Sequence, residues 1–189
     1  MKPSGGPAQI VSLEPLLDAV REGVELSGWS LSGLQKTTSH EFDGAWAGES
    51  TRSAYLFFHR DDLPECVSVE GYLDETSRGL RGNLALVLEG PTLEQLGAVR
   101  GVLERVGCAS DETLPPRYHA PVSVRLAVPR RGAPAGQAGV QVRFKLVIPA
   151  PAMQAGASAV SALASEAVSS FETLLERPEV AELLPSLVE

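Results

Sequence analysis

Long apolar runs are missing from this chain of 189 residues. Every hydrophobic stretch is cut by proline, glycine or charge before the roughly 18 to 20 residues that a bilayer-spanning helix requires. Cysteine is scarce as well. Cys66 and Cys108 show no CxxC or CxxH spacing, which argues against a disulfide framework or a cysteine-based zinc site and for two reduced thiols in a cytoplasmic protein, with one bridge between them as the alternative. Aromatic residues make up 5% of the chain. The phosphate-cradling patterns GxxxxGK[ST] and GxGxxG are absent, and so is a G-x-S-x-G nucleophile elbow, so no nucleotide loop and no hydrolase triad is signalled.

A more local absence is that of carboxylates between Thr113 and Ser165, a stretch that carries Arg117, Arg125, Arg130, Arg131, Arg143 and Lys145. The whole chain has 16 basic and 24 acidic residues. Positive charge is therefore gathered in one segment of an otherwise anionic protein, and that segment can steer a negatively charged partner or dock on the chain's own acidic helices. The net charge of −8 and a pI near 5.0 argue against a general nucleic-acid or anionic-membrane binder, whose affinity rests on many phosphate-neutralising cations.

What is present is an ordinary globular composition, 43% hydrophobic and 21% charged, in a length suited to one compact domain. The first residues are rich in Pro, Ser and Gly, and no apolar region follows Lys2. Residues 1–11 are thus expected to be a flexible N-terminus, not a signal peptide, and 12–189 a single α+β domain.

Helical periodicity begins after Ser12, a capping residue, with Leu13, Leu16, Leu17, Val20 and Val24 on one face and Gly28 placed to end the helix. Gly33 to Asp43 reads as a strand, with Leu34, Lys36, Thr38, His40 and Phe42 on one side, and a turn is expected at Asp43 to Gly48. Ser53 to His59 is continuously apolar and short, which predicts a central strand covered on both faces. Val67, Val69 and Leu73 alternate. Asp74 to Asn83 suits a hairpin connection, and Asn83 to Glu89 returns as a fourth strand of a meander.

Thr92 to Gln95 has the capping-box pattern of a second helix, whose stripe is Leu93, Leu96, Val99, Leu103 and Val106 and whose terminator is Gly107. Two strands then alternate clearly. Val122, Val124, Leu126 and Val128 point inward on one, and Val140, Val142, Phe144, Leu146 and Ile148 on the other, leaving Ser123, Arg125, Gln141, Arg143 and Lys145 outward. Their connection, Pro129 to Gly139, is expected to be mobile. Pro149 and Pro151 end the second strand. The C-terminal helices are expected across 157–184, broken at Pro178. The sum is a single antiparallel sheet of about six strands with helices on one face, in the order α-β-β-β-β-α-β-β-α. That order, one strand apart, is similar to that of the type III secretion chaperone-like and YbjN-like folds, and the resemblance implies a small acidic domain that dimerises and binds other proteins.

Arg125, Arg130, Arg131, Arg143 and Lys145 form the principal candidate site, because guanidinium groups on a sheet face can form paired bonds with carboxylates or phosphates. Equally, cations on a solvated sheet face or edge strand prevent sheet-to-sheet aggregation. His59, Asp61, Asp62 and Glu65 gather an imidazole and three carboxylates near one loop, a set able to hold a metal or to exchange protons, or else simply a solvated loop. His40 and Asp43 alternate to opposite sides of their strand. His119 has no carboxylate nearby in sequence. Small residues Ala157, Ala159, Ala162, Ala164 and Ala167 give the last helix a face for a partner or for the domain's own sheet. The expected function is a non-enzymatic protein-interaction module, an adaptor, chaperone or neutralising partner. Its expected partner is another protein with an acidic surface, a second copy of the chain included, with no cofactor. The alternatives are a small hydrolase-like or metal-dependent enzyme using His59 to Asp62, and a binder of a small anion.

Overall fold

The computed structural model describes residues 8–40, 50–90, 99–127 and 139–184. Helix α1, Leu13–Leu26, forms where the apolar spacing requires it, and Leu13, Leu16, Leu17, Val20 and Val24 are all buried. It ends as expected. Gly28 adopts φ +85°, a left-handed conformation open to glycine at little cost.

Four strands follow as an antiparallel meander: β1, Ser30–His40; β2, Ser50–His59; β3, Val67–Thr76; and β4, Gly79–Glu89. The β3–β4 turn is tighter than the sequence suggested. Thr76 pairs with Gly79, so Ser77 and Arg78 alone make the loop, and most of the expected connection is strand. Gly79 permits this by taking φ +110°. After α2, Val99–Thr113, strands β5, Ser123–Ala127, and β6, Gly139–Val147, complete a six-stranded antiparallel sheet in the order β1-β2-β3-β4-β6-β5. The chain then forms α3, Ala150–Ala155, α4, Ala157–Leu175, and α5, Pro178–Ala181. This is the mixed α+β architecture anticipated above.

One hydrophobic cluster fills the space between the helices and one face of the sheet. Ala54, Leu56 and Phe58 of β2, Leu84, Leu86 and Leu88 of β4, and Val142 and Phe144 of β6 meet Leu16 and Val20 of α1 and Val160, Ala164 and Phe171 of α4. Fully burying one such Leu or Phe contributes about 1.5 to 3 kcal/mol. Helix α1 lies close against α4: a Cβ built on Gly23 would stand 2.2 Å from the Ser161 carbonyl oxygen. In the N-terminal segment expected to be flexible, Ile10 is buried and its N–H donates to the Met153 carbonyl at 3.0 Å.

Several expectations are corrected. β2 is not covered on both faces, since Tyr55 is exposed and Phe57 half-buried while Leu56 and Phe58 are buried; β4 is the strand buried on both sides from Leu84 to Leu88. Gly107 does not end α2. Its surroundings are open and the helix passes through it to Thr113. The segment Pro149 to Pro151 stops β6 but begins α3, because a proline in the first helical turn gives up an N–H that has no helical partner. In α4, Ala164 and Ala167 are buried but Ala157 and Ala162 are exposed, so the alanines do not share one face. The turn Asp43–Gly48, the capping box Thr92–Gln95 and the connection after Val128 lie outside the described residues.

Candidate functional site

Side chains alternate across a strand, so each residue that faces away from the helices has its neighbours fixed by strand register. On that outer face Tyr55 of β2 lies opposite Tyr72 of β3, and the two rings tilt at 48° with centroids 5.0 Å apart. Next to them runs the row Phe57, Glu70, Ala85 and Lys145, one residue from each of β2, β3, β4 and β6. Arg143 is two residues before Lys145 and opposite Val87.

Arg143 forms an ion pair with Glu70, and the two side chains keep only 13% and 19% of their exposure. Because β4 separates β3 from β6, the pair spans that strand where its outer-face residues are Ala85 and Val87. Both are buried, at 1% and 0% exposure. A small and a β-branched side chain thus leave room for two long ones to meet. Gln141 accepts from Arg143 at 3.4 Å and donates to Glu89, extending the polar chain along β6.

A groove of about 480 Å³ opens beside this pair. Its aromatic side is Tyr55, Phe57 and Tyr72, with the Asn83 amide opposite Tyr72; its cations are Lys145, in the row of Phe57, and Arg125, on β5 opposite the Gln141 amide. Partial desolvation, together with the neighbouring Tyr72 and Asp74, holds the Tyr55 phenol above its ordinary value, so at neutral pH it is a neutral donor. Arg125 is exposed on the edge strand β5 and Lys145 is half-buried on β6. Neither has an ion-pair partner among the described residues.

The candidate site read from sequence is therefore divided. Arg125 and Lys145 share the groove with Arg143, but Arg143 is already neutralised, and Arg130 and Arg131 lie outside the described residues. Glu70, Tyr55, Phe57 and Tyr72 were missed. The alternation of Tyr55 and Phe57 with Leu56 and Phe58 was a signal, hidden because all four are apolar enough to read as one run.

The loop after β2 does not assemble a metal site. Arg60 bonds Asp62 at 2.6 Å and turns inward to Glu172 of α4. Its guanidinium carbon lies 5.6 Å from the centroid of Trp29, whose indole N–H donates to the same Glu172 at 3.1 Å. His59, Asp61 and Glu65 are exposed, and among the described residues no group of three or more His, Cys, Asp and Glu is placed to hold a metal. The side chain of His40, with Asp43, lies outside the described residues. His119 does acquire a carboxylate: its Nε2 is 2.7 Å from Asp111 Oδ1 at the end of α2. That contact ties the loop to the helix. Cys66 and Cys108 are both free thiols.

Among the described residues no helix is long and apolar enough to cross a membrane. Comparison with protein-family models, with curated proteins and with solved structures gives no match to this chain.

Proposed function

We propose that this chain is a non-enzymatic protein-interaction module that offers the helix-free face of its sheet to a partner with an acidic surface. The observation that carries the reading is the pairing, in one groove, of two cations without carboxylate partners among the described residues and three aromatic rings. Aromatic residues and arginine are the side chains that most often dominate binding energy, and a cationic patch on a protein of net charge −8 orients an acidic partner toward itself. A cytoplasmic adaptor, chaperone or neutralising partner would use such a face.

The test is fluorescence anisotropy with labelled synthetic acidic peptides that carry one hydrophobic residue, titrated with the wild type and with the R125E/K145E double variant. Circular dichroism first establishes that the variant is folded. Loss of at least about tenfold in affinity, equal to about 1.4 kcal/mol, locates the surface. Unchanged binding would show that the partner uses another face. Inorganic phosphate raising the melting temperature of the wild type but not of the variant, with no peptide bound, would transfer the groove to a small anion.

A further inference from the structure

The register of the outer face sets a length on whatever fills the groove. Phe57 and Lys145 stand in one row, separated by Glu70 on β3 and Ala85 on β4. Neighbouring strands are about 4.8 Å apart, so the row extends about 14 Å from Phe57 to Lys145; Arg125 stands off the row, on β5 opposite Gln141 and so four residues, about 13 Å, along the strands from the position of Lys145. An inorganic phosphate or a lone carboxylate reaches one end only. An extended peptide advances about 3.3 Å per residue and crosses the row in about four residues.

The charge along the row is as uneven as its chemistry. On β2 and β3 stand the aromatic rings, on β6 and β5 the cations Lys145 and Arg125, and between them an ion pair of no net charge, with the Asn83 amide opposite Tyr72 and the Gln141 amide opposite Arg125. Those amides both donate and accept, as a peptide backbone does. Glu70 and Arg143 neutralise each other at the centre, so a carboxylate placed there finds no unmatched cation.

We propose that the groove takes an extended peptide laid across the strands, with an apolar side chain over Tyr55 and Phe57, about four neutral residues, and carboxylates against Lys145 and Arg125. The proposal rests on the reading of this face as the recognition surface, and it adds a spacing rule to it. Binding at both ends at once makes the second contact intramolecular, so affinity depends on whether the spacer fits the span. A nucleic acid is disfavoured by the same geometry, since among the described residues the groove offers its phosphates two unpaired cations where such binding draws on many.

The experiment is fluorescence anisotropy of the full chain with three labelled peptides, each a phenylalanine and a pair of glutamates joined by a serine–glycine spacer of one, about four or about nine residues. The expected result is a maximum at the middle spacer, tighter than the shortest by at least about tenfold. That preference should disappear in K145M and, independently, in F57Q, two exposed-face changes that leave the Glu70–Arg143 pair in place. An affinity that follows only the number of carboxylates, still abolished by R125E/K145E, would overturn the spacing rule and leave the recognition face standing. Complete competition by millimolar phosphate would overturn it too, by showing one-ended anion capture. Failure of all three peptides to bind the wild type would remove both readings.

Discussion

Glu75, on β3, accepts a hydrogen bond from the backbone N–H of Leu13 at 2.8 Å and so caps the first turn of α1 from the sheet. Ser12 occupies the N-cap position with extended backbone angles, yet its side chain makes no capping bond. The acceptor for the helix end comes from 62 residues away in the chain. Arg52 bonds the same Glu75 carboxylate at 3.3 Å and also pairs with Glu14, which joins helix and sheet through three side chains.

Glu75→Ala should lower stability by about 1 to 2 kcal/mol, the usual worth of a helix cap with a charged acceptor. Ser12→Ala should change it by less than about 0.5 kcal/mol, since no bond is lost. Urea unfolding followed by circular dichroism separates the two. A Ser12→Ala variant as unstable as Glu75→Ala would show that the hydroxyl, not the carboxylate, holds the helix end in solution.

The contact of α1 with α4 gives a second expectation, and its sign is opposite to that of helix propensity. Alanine is favoured over glycine inside a helix by about 1 kcal/mol. At Gly23, however, the added Cβ would meet the Ser161 carbonyl oxygen at 2.2 Å and the Ala164 Cβ at 2.8 Å, and backbone cannot yield as a side-chain tip can. Gly23→Ala is therefore expected to destabilise by about 1 to 3 kcal/mol as the helices are forced apart. Gly107→Ala in α2 meets nothing within 4 Å and should stabilise by about 0.5 to 1 kcal/mol. Thermal melts of the pair check both signs together.

The same contrast shows what could be read from residues and what could not. Strands β5 and β6 were plain in the sequence because Val140, Val142, Phe144 and Leu146 alternate with polar residues and only one face of β6 meets the core. β2 was misread because its outer face carries Tyr55 and Phe57, so alternation of burial was not alternation of polarity. Gly107 was misread because glycine is a common terminator, whereas this helix continues until Pro115 and Pro116, shortly after its end, leave no way to extend it. The Glu70–Arg143 pair had no local signal at all. It depends on β6 inserting beside β4, a pairing of residues 73 apart that the carboxylate-free composition of the basic segment concealed.

The two thiols should differ in reactivity. Cys108 is exposed and Cys66 only half so. Burial, with a smaller contribution from the Glu89 charge, pushes the Cys66 thiol above its ordinary value and so disfavours the thiolate, which is the reacting form. Folding thus favours the neutral thiol; this contribution is full below the unfolded pKa and is lost as pH rises through the folded one. Labelling with iodoacetamide near pH 8 should modify Cys108 first, with Cys66 following as pH is raised or urea is added. Equal rates for the two, located by peptide mass mapping, would contradict this arrangement.

The ion pair beside the groove leads to the sharpest stability prediction, because its partners are mostly withdrawn from water. Removing one partner of such a pair leaves the other charge desolvated and unmatched, whereas replacing both with apolar groups removes the problem. Arg143→Ala should therefore cost about 2 to 3 kcal/mol, while the double variant Glu70→Leu/Arg143→Met should fall within about 1 kcal/mol of the wild type. Exposed pairs behave otherwise, with single and double changes both below about 1 kcal/mol. A double-mutant cycle measured by urea unfolding distinguishes the cases. A neutral Arg143→Ala would mean that Ala85 and Val87 owe their burial to something other than the pair above them, and that Arg143 is free to join Arg125 and Lys145 in holding a carboxylate.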